Sequence, residues 1–146
     1  MAAVPISAGG ASLCTVRPDN ANRLQGDLFC GETTNPIFGG AACYIKASDG
    51  KVYLSHADTA NAEACKVHGF AAGRALYNEP VTLYYDVAFA YSDGNLTPGQ
   101  SLYVTVSTGA GAGALDSAPT TGNGAVPVAF AIDKWRISVN RKPSFL

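Results

Sequence analysis

Val81-Thr82-Leu83-Tyr84-Tyr85-Asp86-Val87-Ala88-Phe89 decides the fold class. Val81, Leu83, Tyr85, Val87 and Phe89 alternate with Thr82, Tyr84, Asp86 and Ala88, a period of two that puts one set of side chains on a core and the other on the opposite face of a strand. Ser92-Asp93-Gly94-Asn95 and Thr97-Pro98-Gly99 are turn signals, and beyond them Leu102, Val104 and Val106 alternate with Tyr103, Thr105 and Ser107 as a second strand. Val126, Val128, Phe130 and Ile132 form a third alternation, followed by Trp135, Ile137 and Val139 inward against Lys134, Arg136 and Ser138 outward. Upstream, Ala47-Ser48-Asp49-Gly50 suits a tight turn between strands at 42–46 and 51–55. Asp58 to Lys66 is rich in alanine and fits a short helical connector.

Sixteen glycines and eight prolines break the chain into such short pieces, and no stretch keeps a helical apolar stripe over three turns. The expectation is therefore all-β, a single small β-barrel or β-sandwich. Gly40-Ala41-Ala42-Cys43-Tyr44-Ile45 is echoed by Gly99-Gln100-Ser101-Leu102-Tyr103-Val104, and Gly69-Phe70-Ala71 by Ala129-Phe130-Ala131. Two such units are too few for a solenoid and predict pseudo-symmetric halves of one compact domain. Residues 1–37 carry scattered apolar side chains with no sustained period, so they read as an extended N-terminal arm ahead of a β-domain at 38–146.

With 146 residues the chain has room for one self-sufficient core. Charged residues make up only 14% of it against 47% hydrophobic ones; this excludes wholesale disorder and suggests that part of the surface is covered in an assembly. A formal net charge of −1 favours neither nucleic acid nor an anionic membrane as partner. The longest apolar run, Ala125 to Ile132, is far short of a membrane-spanning helix. No basic n-region precedes Arg17, so Cys14, Cys30, Cys43 and Cys65 are expected as free thiols, with no C-x-x-C among them.

The candidates for chemistry are thin. Cys65 and His68, joined by Cys43 or His56, do not lay out four zinc ligands. His56 lies near Ser55 and Asp58 but without a nucleophile elbow. Gly109 to Gly113 lacks the Lys-Ser/Thr of a phosphate loop and reads as a hairpin tip. Asp86, Asp93, Asp116 and Asp133 could pair as hydrolytic carboxylates, yet most of them fall in turns. Lys134, Arg136, Arg141 and Lys142 are too few for a nucleic-acid footprint. No catalytic, cofactor or metal site is expected, and the chain reads as a non-enzyme.

A likeness appears in Gly39-Gly40-Ala41-Ala42-Cys43-Tyr44-Ile45-Lys46-Ala47-Ser48-Asp49-Gly50-Lys51-Val52-Tyr53, Lys66-Val67-His68-Gly69-Phe70-Ala71 and Glu79-Pro80-Val81-Thr82-Leu83-Tyr84. It continues through Leu96-Thr97-Pro98-Gly99, Leu102-Tyr103-Val104, Ala118-Pro119-Thr120-Thr121 and Pro127-Val128-Ala129-Phe130-Ala131-Ile132. This cadence resembles small head decoration, or capsid cement, proteins of tailed bacteriophages. The resemblance implies a small β-domain, commonly a homotrimer, bound to the major capsid protein on the outside of the virion, often through its N-terminal arm. On that basis Ile6, Leu13, Arg17, Arg23, Leu24, Leu28 and Phe29 are the candidate capsid contacts, and Tyr84 and Tyr103, expected on exposed faces, the candidates for self-association. A head- or tail-fibre binding module that recognises a host surface or another virion protein is the alternative.

Overall fold

The computed structural model describes residues 15–16, 22–24, 28–57, 63–90, 96–105, 111–117 and 127–139. Eleven short strands run along them: β1 (Thr15–Val16), β2 (Asn22–Arg23), β3 (Ala42–Ile45), β4 (Val52–Leu54), β5 (Gly69–Ala71), β6 (Leu83–Tyr85), β7 (Val87–Ala90), β8 (Ser101–Val104), β9 (Leu115–Asp116), β10 (Ala129–Ala131) and β11 (Arg136–Val139). The 3-10 turn Glu63–Cys65 falls within the expected helical connector. The strands form two antiparallel sheets, one ordered β1-β7-β11-β10-β8-β9 and the other β2-β6-β5-β3-β4. Of the two architectures expected, the chain adopts the β-sandwich.

The stretch 81–89 is not one strand. Asp86 sits in the left-handed region at φ 53, a conformation an aspartate tolerates better than a bulky residue does. The bend passes the chain from β6 in one sheet to β7 in the other, as strands do at sandwich corners. It also resets the alternation: Tyr84 and Val87 enter the core between the sheets, while Val81 and Leu83 enter a second core on the far side of the five-stranded sheet. Strict period-two reading had put Leu83 and Val87 on one face and left Tyr84 outside.

The two sequence echoes are a structural duplication. Ala42 pairs with Phe70 and Cys43 with Gly69; their counterparts Ser101 and Leu102 pair with Phe130 and Ala129. The frame around them repeats as well. Gly40 N–H donates to Ala71 O and Ala71 N–H to Ala41 O, while Gly99 N–H donates to Ala131 O and Ala131 N–H to Gln100 O. Gly40 and Gly99 both take positive φ, 85 and 82, so each unit enters its first strand through the same glycine turn. Next along, Tyr44 faces Tyr53 and Tyr103 faces Asp116, and on the other side Phe70 faces Tyr84 while Phe130 faces Ser138.

These two units stack head to tail. The core between the sheets takes Ala42, Phe70 and Tyr84 from the first unit and Leu102, Ala129, Ala131 and Ile137 from the second. The second unit's counterparts of Ala42, Phe70 and Tyr84, namely Ser101, Phe130 and Ser138, lie on its opposite, outer face. The second core covers the far face of the first unit, where Cys43, Val52, Leu54, Ala71 and Leu83 meet Cys30, Ile37, Phe38 and Ala41. The five-stranded sheet is thus packed on both faces, by the other sheet on one side and by the chain segment 28–41 on the other.

The described parts of the expected arm take part in this packing. β1 pairs with β7 and β2 with β6, so each extends one edge of a different sheet. Phe29 bridges Pro80, and Cys30 bridges Val52 in parallel. The segment Gly109 to Gly113, expected as a hairpin tip, is described from Gly111 on and is packed inward. Ala112 belongs to the second core, Gly113 N–H donates to Ser55 O and Ala42 N–H to Gly113 O. Gly113 has φ +85, and a Cβ there would meet Leu54 Cδ2 at 2.7 Å, which is why glycine is required at that point.

Candidate interaction surfaces

The second unit's outer face is built by alternation. On β8 and β11 the apolar residues Leu102, Val104, Ile137 and Val139 are buried, and Ser101, Tyr103, Arg136 and Ser138 face out. On β10 the small residues turn inward: Ala129 and Ala131 are buried, and Phe130 is 44% exposed. The reason lies across the interface. Phe70 and Tyr84 of the other sheet fill the space, so β10 can present only methyl groups to it and turns its phenyl ring outward. Register places Ala88, Ser138, Phe130 and Ser101 in one row across four strands, a single bulky ring among small side chains.

The β10–β11 turn carries two more large apolar residues outward, Ile132 and Trp135, the latter 51% exposed. Trp135 was expected to point inward. Asp133 explains the difference: its carboxylate accepts from the Trp135 and Arg136 backbone N–H groups, each at 2.8 Å, and pairs with Arg136 Nε at 2.9 Å. That capped turn interrupts the strand, so the alternation starts afresh at Arg136. These bonds also hold the Asp133 carboxyl below its ordinary range, the Trp135 N–H contributing most.

A second exposed group lies beside the sheet edge at Pro80. Phe29, Leu76 and Tyr77 are each at least 40% exposed. The turn from Leu76 to Glu79 is closed by Leu76 N–H to Glu79 Oε1 at 2.7 Å and by Asn78 at φ 64. Lys51 braces it, with Nζ 4.8 Å from the Tyr77 ring centroid and 2.9 Å from Asn78 Oδ1, a cation–π contact that fixes the ring. Next to it Tyr53 donates to Asp49 Oδ2 at 2.6 Å, stacks on Tyr44 and carries Lys46 above its ring. The Asp49 hydrogen bond, with some burial, pushes the Tyr53 phenol up to about 12.

The sequence candidates fall unevenly on these surfaces. Tyr103 lies on the second unit's outer face and is half-buried. Tyr84, expected on an exposed face, is a correction: it is only 8% exposed, within the core between the sheets. Leu24 and Leu28 are partly buried against the second core. Phe29 faces solvent in the second exposed group, and Arg23 lies on β2 opposite Tyr84. Ile6, Leu13 and Arg17 lie outside the described residues. Sequence reasoning missed Leu76, Tyr77, Phe130, Ile132 and Trp135; the Phe70/Phe130 echo was the one signal present, because two stacked copies cannot both bury the same face.

The candidates for chemistry have local structural duties. His68 Nδ1 accepts the Ile45 N–H at 2.9 Å. Glu63 Oε2 accepts from Ala47 N–H and Glu32 Oε2 from Leu54 N–H. Burial raises the Glu32 carboxyl above its ordinary value. Cys30 and Cys43 are buried free thiols, Cys65 is buried as well, and burial pushes Cys43 far up. Among the described residues no group of three or more His, Cys, Asp or Glu side chains is placed to hold a metal ion. No protein-family model, curated protein or solved structure matches this chain.

Proposed function

We propose that this chain is a capsid decoration protein of a tailed phage, which binds the major capsid protein on the outside of the head, assembles as a homotrimer and stabilises the shell by adhesion. The observation that carries this reading is the placement of exposed large apolar side chains in two groups, Phe130 on β10 with Ile132 and Trp135 on the turn that follows it, and Leu76 and Tyr77 on a turn with Phe29 bridged to Pro80 beside it, in a chain with only 14% charged residues. Large aromatic and aliphatic groups held by capped turns are what an interface core uses, because little side-chain freedom remains to be lost on binding. The sequence likeness points the same way.

Cementing needs no reaction. A protein that binds the mature lattice more tightly than its precursor shifts the shell toward the mature state by that difference in affinity alone. Repetition over a closed shell multiplies a modest contact. The test is saturable binding of the purified chain to undecorated capsids of its own phage, followed by thermal release of DNA from particles with and without it. Stoichiometric occupancy and a higher release temperature are expected; absence of binding overturns the proposal. Tight binding to a host glycan without capsid occupancy would indicate the fibre-type module instead.

A further inference from the structure

We infer that the outer face of the six-stranded sheet, centred on Phe130, is where copies of this chain pack on one another. The inference rests on the multimeric part of the proposal above and assigns it a surface. The argument begins with the duplication. In the first unit the row Ala42, Phe70, Tyr84 is covered by a β-sheet, the second unit itself, and Phe70 is wholly buried. In the second unit the matching row Ser101, Phe130, Ser138 faces out, with no described element packed over it, and Phe130 is 44% exposed. One module face is thus seen in two states within one chain, sealed by a neighbouring module and open.

What a second copy can offer to that open face follows from the stacking order. The face that sealed the first unit is the inner face of the six-stranded sheet, which is already consumed in every copy. Its counterpart on the first unit is sealed by the segment 28–41. Copies therefore meet through the same open face on each. Its relief suits self-contact: Phe130 stands as a knob, and Ser101, Ser138 and Ala88 on either side leave room for the knob of a neighbour. Charge does not oppose the contact, since Arg136 at the rim is neutralised by Asp133. Turned toward a common three-fold axis, these faces close a ring of three copies, the Phe130 knob of each set against the small side chains of the next.

Sedimentation velocity of the full chain over a concentration series tests this, with Phe130→Ser, Ser138→Arg and, in the other exposed group, Leu76→Ser. All three positions are at the surface, and circular dichroism checks that each variant keeps the fold. Expected is self-association of the wild type that weakens at least tenfold in Phe130→Ser and Ser138→Arg and is unchanged in Leu76→Ser. A monomeric wild type, or association indifferent to Phe130→Ser, overturns the inference. Capsid occupancy is measured in parallel: a monomer that still decorates capsids, and loses occupancy with Phe130→Ser, refutes the copy–copy contact while leaving the decoration reading intact.

Discussion

Phe70 and Phe130 are the same residue at matching points of two duplicated units, and the stacking makes them energetically unlike. Phe70 is fully buried between the sheets, so Phe70→Ala removes a ring from a closed core and costs about 3–5 kcal/mol in transfer and cavity terms. Phe130 is nearly half exposed on the outer face; Phe130→Ala forfeits only part of a ring's burial, about 1 kcal/mol or less. For a chain of this size 1 kcal/mol moves the midpoint by about 2–4 °C, so losses of about 6–20 °C and under about 4 °C are expected. The assay is thermal and urea unfolding by tryptophan fluorescence and far-UV circular dichroism. It is run at low protein concentration so that association does not add to the stability of the wild type by mass action. At high concentration the Phe130→Ala deficit should grow, whereas that of Phe70→Ala should not. Equal costs for the two substitutions at low concentration would refute the head-to-tail stacking.

Gly113→Ala should destabilise by about 1–3 kcal/mol, because the new methyl meets Leu54 at a backbone that also demands positive φ. Gly50→Ala, with positive φ but open space around it, should cost about 1 kcal/mol in the same urea titration. Burial raises the Glu32 carboxyl above its ordinary 4.5, so in the window between the two values the folded chain holds a proton the unfolded chain has lost. Its contribution to stability is therefore greatest below that window and falls as pH rises through it; Glu32→Gln, which keeps an acceptor for the Leu54 N–H, should flatten this part of a urea-midpoint profile. Cys43 is fully buried, its thiol pushed far up, so peptide mapping after native iodoacetamide treatment should find it unmodified until denaturant is added.

Elements closed by local chemistry were legible in the sequence. The Asp49-Gly50 turn is present, with Lys46 N–H bonded to Lys51 O and Gly50 at φ 72. Leu102 and Val104 face inward as their alternation required, and the echo proved to be a duplication in register. What failed depended on partners distant in sequence. Nothing in Ala129-Phe130-Ala131 reveals that Phe70 and Tyr84 have already filled the opposing space, so the sequence leaves the outward turn of the Phe130 ring unannounced. The Asp86 bend and the Asp133 turn each restart an alternation that a periodic reading carries through unbroken. The same two failures hid the candidate surface. Trp135 was counted as core while Tyr84 was counted as surface, although Tyr103 and Phe29 were placed on the outside as expected.

The asymmetry of the two ends gives the duplication its consequence. A module that stacks head to tail generates an open series, and each free end of such a series invites further copies and, ultimately, filaments. Here one end is closed within the chain: Cys30, Ile37, Phe38 and Ala41 lie over the far face of the first unit and deny it to any incoming sheet. Growth by the internal rule is therefore blocked, and only contact between like faces remains at the other end. In the proposed trimer such contact closes after three copies, because each copy contributes its open face and, among the described residues, has no equivalent face left to extend the stack. A finite, symmetric cluster is also what a repeating lattice can accept at equivalent sites. In the proposed role this leaves the second exposed group, Phe29, Leu76 and Tyr77, clear of the copy–copy contact and available to the shell.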